Sequence, residues 1–135
     1  MNRTNENIEE YLKKKNFQKR IDKLAQKYKN KKIMFYGASM AFDVIKKNFD
    51  ISKLNIIGIA DIRFTDGEEY AGYKTFNSYT FLEEKPDIVL ITMLESEIAE
   101  YFFEDALVPK FGDFKYEPLI KDSFIESVKE LLFSS

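Results

Sequence analysis

The chain has 135 residues, 44% hydrophobic, 33% charged and 16% aromatic, which is enough apolar material for one packed domain and excludes wholesale disorder. It contains no cysteine and no histidine, which removes disulfides, thiolate nucleophiles, iron–sulfur clusters, cysteine-type zinc sites and imidazole acid–base or metal chemistry. The net charge of -2 supplies no bulk drive towards nucleic acid, but residues 1–32 hold 11 Lys/Arg against 4 Asp/Glu, so a basic start precedes an acidic body.

Residues 4–29 read as helix. Thr4 or Asn5 is placed to cap it, and Glu6, Glu9 and Glu10 suit the positive end of its dipole. Ile8, Tyr11 and Leu12 form one apolar stripe, and Phe17, Ile21, Leu24, Ala25 and Tyr28 form another. The five-residue step from Leu12 to Phe17 predicts a bend near Asn16 or two separate helices. The basic residues Lys13, Lys14, Lys15, Lys19, Arg20, Lys23 and Lys27 read as a solvated face or as a polyanion or membrane-surface contact.

Ile33-Met34-Phe35-Tyr36 is a short continuous apolar run, the pattern of a strand buried on both faces. A helix is predicted over 40–49, with Ala41, Val44, Ile45 and Phe49 inward. Residues 55–60 read as a second buried strand ending at Asp61, followed by a polar loop over 62–72 with an Asp66-Gly67 turn. Tyr73–Phe76 is a candidate short strand, and Thr80 with Glu83 suggests a capping box on a brief helix stopped by Pro86. Asp87–Thr92 is the clearest strand. Residues 95–106 read as a helix with Ile98, Ala99, Phe102 and Phe103 inward, and with Glu95, Glu97, Glu100, Glu104 and Asp105 as a solvated acidic face. Phe114–Tyr116 is a candidate last strand. A helix capped by Asp122 or Ser123 then carries Phe124, Ile125, Val128, Leu131 and Leu132.

Buried strands alternating with amphipathic helices predict an α/β fold of three layers, a doubly wound, mainly parallel sheet with extra N- and C-terminal helices. One domain over 1–135 is expected, with a helical extension over 1–31, an α/β core over 32–120 and a C-terminal helix over 121–135. No apolar run approaches the roughly 18 residues of a membrane span. The first residues show no signal-peptide core, so a cytoplasmic location is expected. The apolar stripes of the terminal helices suggest a homo-oligomer contact.

In an open parallel sheet the ligand site lies beyond the carboxyl ends of the strands, where the strand order reverses. Gly37, Ala38, Ser39 and Met40 after the first strand, Asp61 after the second, and Thr92 and Met93 after the Asp87–Thr92 strand are expected there. The first loop opens into a helix, whose free amides and dipole favour a phosphate. Ser39 is placed to cap that helix and to offer its hydroxyl to the same phosphate. Asp61 follows Gly37 by 24 residues, the spacing of a ribose-binding acid.

The runs KKIMFYGAS, IIGIAD and KPDIVLIT resemble the nucleotide-binding Rossmann superfamily over residues 31–120. The nearest resemblance is to the nucleotide-binding domains of bacterial nucleotide-sugar acetyltransferases and of sugar-nucleotide dehydratases and epimerases, with a CoA-binding Rossmann domain as a further relative. It implies that Gly37, Ala38 and Ser39 bind a diphosphate and that Asp61 binds a ribose. Against the G-x-G-x-x-G fingerprint this chain reads Gly37-Ala38-Ser39-Met40-Ala41-Phe42, with Ser39 and Phe42 in place of the second and third glycines. That departure affects NAD more than a mononucleotide, a nucleotide-sugar or a lone phosphate. Tyr70 and Lys74 match the Y-x-x-x-K pair of short-chain dehydrogenases, but in a glycine-containing loop, where the match is read as chance.

The leading expectation is a nucleotide or nucleotide-sugar binding module, accessory to sugar or surface-polysaccharide metabolism, with a small-molecule nucleotide partner. The alternatives are an NAD-dependent oxidoreductase or epimerase, and a non-catalytic interaction protein with a vestigial Rossmann site. The sequence assigns no catalytic residue and no metal ligand, and leaves nucleotide-sugar or NAD as the candidate cofactors.

Overall fold

The computed structural model describes residues 5–120. Two helices open the chain, α1 (Asn5–Lys14) and α2 (Phe17–Lys27). They are separated at Asn16, whose φ of 54° puts it in the left-handed region that ends one helix before the next begins. The predicted break therefore stands, as two helices. Thr4 lies outside the described residues.

Strand β1 (Ile33–Tyr36) leads into α3 (Met40–Asn48), and β2 (Ile56–Asp61) follows. The loop after β2 holds a strand absent from the sequence reading, β3 (Glu69–Tyr70), which pairs antiparallel with β4 (Tyr73–Asn77) through a two-residue turn at Ala71-Gly72. Both turn residues have positive φ, 53° and 87°, as a tight hairpin of the primed type requires. A 3₁₀ turn over Phe81–Glu84 precedes β5 (Ile88–Ile91). The capping box expected from Thr80 is not formed, because its hydroxyl donates to Asp66 instead.

The next helix is longer than the predicted 95–106. It runs as α4 (Ser96–Phe102), a π-helical turn (Phe103–Leu107) and α5 (Val108–Phe111). Pro109 has no N–H and its ring crowds the carbonyl four residues back. The wider π turn just before it carries the helix on past the proline and beyond the predicted end at residue 106. Within α4, Ala99 faces inward and Phe103 follows it into the core, but Ile98 is 58% exposed, contrary to expectation. Strand β6 (Tyr116–Pro118) is the last described strand, two residues later than predicted. The C-terminal helix expected over 121–135 lies outside the described residues.

The six strands form one sheet in the order β3-β4-β2-β1-β5-β6, parallel except for the β3–β4 hairpin. This mixed α/β sheet is compatible with a Rossmann-like fold. Alternate residues of β1 feed two hydrophobic clusters. Ile33 and Phe35 join α1, α2 and α3 on one face. Met34 and Tyr36 join Phe81, Ala99, Phe103 and Leu107 on the other. The N-terminal apolar stripes, expected as an oligomer contact, are thereby used in the chain's own core: Ile8, Leu12, Phe17, Ile21 and Leu24 are all buried. Arg20 ties α2 to the far edge of the sheet, donating to the carbonyls of Pro118 (2.8 Å) and Leu119 (3.2 Å) and pairing with Glu117 at 3.2 Å. No described helix is long and apolar enough to cross a membrane.

Gly58 sits under the Phe76 ring of the neighbouring strand, and a methyl group there would overlap the ring and lie 2.9 Å from the Lys74 carbonyl oxygen. Gly58→Ala should therefore cost about 1–3 kcal/mol through overpacking. Chemical denaturation checks it, and adding Phe76→Leu in the same chain should recover part of the loss.

Candidate functional site

The strand order reverses between β1 and β5: β2, the next parallel strand after β1, lies on one side of it and β5 on the other. Beyond the carboxyl ends of β1 and β5 lies a groove of about 270 Å³. Ser39, Met40 and Ala41 form one wall, Met93, Leu94 and Glu95 the other, and Ile8 of α1 closes one side. The lining is mostly apolar, with the first turn of α3 at its edge.

The loop between β1 and α3 is held by three sets of contacts. Gly37 has φ of 111° and carries the Met93 side chain against its Cα, so a side chain at this position meets both strain and overlap. Ala38 donates its N–H to the Asp61 carboxylate at 2.9 Å. Ser39 caps α3: its Oγ accepts from the Phe42 N–H at 3.3 Å and donates to the Thr92 carbonyl at 2.9 Å. The hydroxyl expected to reach a phosphate thus already gives its proton to the end of β5. The N–H groups of Met40 and Ala41, the first two of α3, have no acceptor among the described residues.

Asp61 is held more firmly still. Its side chain is 13% exposed, and Arg63, two residues on, pairs with it at 2.9 Å and also donates to the Ala38 carbonyl. One carboxylate therefore clamps the loop after β1 through Ala38 and the turn after β2 through Arg63. Burial pushes its carboxyl upward, but the hydrogen bonds from Arg63 and from the Ala38 amide outweigh that and hold it below the ordinary 3.8. Tyr70 extends the cluster, donating to Asp43 of α3 at 2.6 Å.

Thr92 is fully buried, its hydroxyl donating to the carbonyls of Tyr36 (3.0 Å) and Gly37. It fastens the ends of β5 and β1 together and faces no groove. Phe42, in place of the third fingerprint glycine, points into the core and packs edge-on against Phe35 at 5.8 Å between ring centroids. Of the expected site residues, Ser39, Met40 and Met93 line the groove, Gly37 and Ala38 form the loop beneath Met93 and beside Asp61, and Asp61 and Thr92 act as internal fasteners. Arg63 was missed by the sequence reading. Its signal was an arginine two residues after an acid at a strand end, where the turn folds one side chain back on the other.

Tyr70 and Lys74 lie on the two strands of the β3–β4 hairpin, Tyr70 opposite Tyr73 and Lys74 opposite Glu69, out of helical register. Of the basic N-terminal residues, Arg20 and Lys27 hold Glu117 and Lys13 holds Glu9. No protein-family model matches the chain, and no curated protein matches it.

Because the folded Asp61 carboxyl lies below its ordinary value, its contribution is complete above that value and is lost as pH falls through the folded one. Arg63 is well exposed, so the charge part is worth about 1 kcal/mol. Asp61→Asn should be less stable than the parent at pH 7 by that amount, and the gap should close below pH of about 4. Urea unfolding at a series of pH values checks this.

Proposed function

We propose that the chain is a nucleotide or nucleotide-sugar binding module built on a three-layer, doubly wound Rossmann-like core. The observation that carries this reading is the groove at the reversal of strand order, bordered by the first turn of α3. The N–H groups of Met40 and Ala41 have no acceptor among the described residues, and the helix dipole adds positive potential there. A phosphate is taken at that turn, and the apolar wall of Met93, Leu94 and Ile8 takes the less polar part of the ligand. A role in sugar or surface-polysaccharide metabolism rests on the resemblance of the three strand-end motifs alone.

A whole NAD does not fit these residues. The second fingerprint glycine is Ser39, whose side chain bridges Phe42 and Thr92 where the backbone would have to approach a pyrophosphate. The acid expected on the ribose is engaged by Arg63 and Ala38. A second reading, a non-catalytic interaction protein with a vestigial site, is favoured by one observation: Ser39, Asp61 and Thr92 all use their polar atoms inside the chain.

Calorimetric titration with UDP-sugars, NAD, CoA and AMP separates the two. Binding of a nucleotide or nucleotide-sugar is expected. Met40→Pro is the diagnostic variant, because proline is favoured at the first helical position and Ser39 is already extended (φ −97°, ψ 174°), as a residue before proline must be. The variant removes one amide donor, so affinity should fall about tenfold or more with the thermal midpoint unchanged. No heat from any of the four ligand types at millimolar concentration leaves the interaction reading.

A further inference from the structure

The face of the sheet that carries α4 holds an apolar surface that the ligand groove does not use. Ile98 and Tyr101 are 58% and 72% exposed, and they lie three residues apart on one side of α4. Tyr79, 51% exposed at the end of β4, continues the surface, its ring 5.3 Å from Phe102 of the same helix. Glu97 precedes Ile98 and Glu104 and Asp105 follow Tyr101 by about one turn, all exposed, with Glu104 also accepting from Tyr116 at 2.9 Å; Glu83 and Glu84 of the 3₁₀ turn add acid on the same face, beside the exposed Lys85. An apolar patch inside an acidic rim has the anatomy of an interface, with the rim choosing a partner of opposite sign.

The opposite face of the same chain supplies that sign. Helices α1 and α2 pack on the other side of the sheet. Lys14, Lys19 and Lys23 are exposed there and make no ion pair among the described residues. We propose that the Ile98–Tyr101 surface of α4 docks the basic α1–α2 face of a second copy of this chain. The two surfaces lie on opposite sides of the sheet, so the contact is head-to-tail. Each copy keeps one free surface of each kind, and association extends to short open chains unless the rotation closes a ring. The inference is independent of any ligand at the groove.

Sedimentation velocity over a range of protein concentration tests it. Wild-type protein should associate at low ionic strength and dissociate near 1 M salt, where screening acts over about 3 Å. Ile98→Ser/Tyr101→Ser and Lys19→Glu/Lys23→Glu should each weaken self-association by about tenfold or more. All four positions are exposed or at the surface of folded helices, and circular dichroism confirms that each variant folds. Mixed together, the two variants should form a one-to-one dimer and nothing larger, because each retains the surface the other has lost. Wild-type protein that stays monomeric at low salt overturns the proposal. Association that survives the lysine reversals also overturns it, since the contact would then be patch on patch. A mixture that stays monomeric does so too.

Discussion

Strand β1 has no free side. It is paired on both edges, by β2 and β5, and covered on both faces, with all four of its residues at or below 8% exposure. Its side chains alternate between two separate hydrophobic clusters, so one strand holds both halves of the core together. A chain that leaves such a strand must cross a face of the sheet before it can pair again. Here it leaves through α3 to reach β2, while β5 arrives on the other side. The crevice beyond the ends of β1 and β5 follows from that central placement and needs no functional residue to create it.

What fills the crevice depends on how the loops around it are fastened. Asp61, Ser39 and Thr92 are the residue types that bind ribose or phosphate in other nucleotide sites, yet each here closes a hydrogen bond between neighbouring strand ends. Asp61 in particular trades a solvent-facing acid for a buried fastening between two loops, with Arg63 neutralising it. The two α3 amides beside the groove have no acceptor among the described residues, and an apolar wall lies next to them.

The sequence showed the strands with continuous apolar runs plainly, because burial on both faces leaves no alternation to misread: Ile33–Tyr36, the run ending at Asp61, and Ile88–Ile91 were all found. The break at Asn16 was legible from the five-residue step between apolar positions. Less visible were features set by neighbours distant in sequence. The β3–β4 hairpin turns on Ala71-Gly72, where alanine gives no warning of a positive φ. The helix reaches past Pro109 through a π turn that no spacing of apolar residues announces. Ile98 shares a helical face with Phe102, but the wall of that face faces water as well as the core. Asp61 lies against the first loop through the Ala38 amide, but its pairing with Arg63 was not legible, since spacing says where an acid lies and not which cation reaches it first.

The sheet ends on both sides in strands too short to recruit another. β3 has two residues and turns straight back through its hairpin. β6 has three and finishes on Pro118, which has no N–H to donate, while Arg20 occupies the carbonyls of Pro118 and Leu119. Neither border presents a long ladder on which a foreign strand could grow, so the molecule is guarded against amyloid-like stacking at its rims. Among the described residues, that leaves the helical surfaces as the places where an ordered assembly could form.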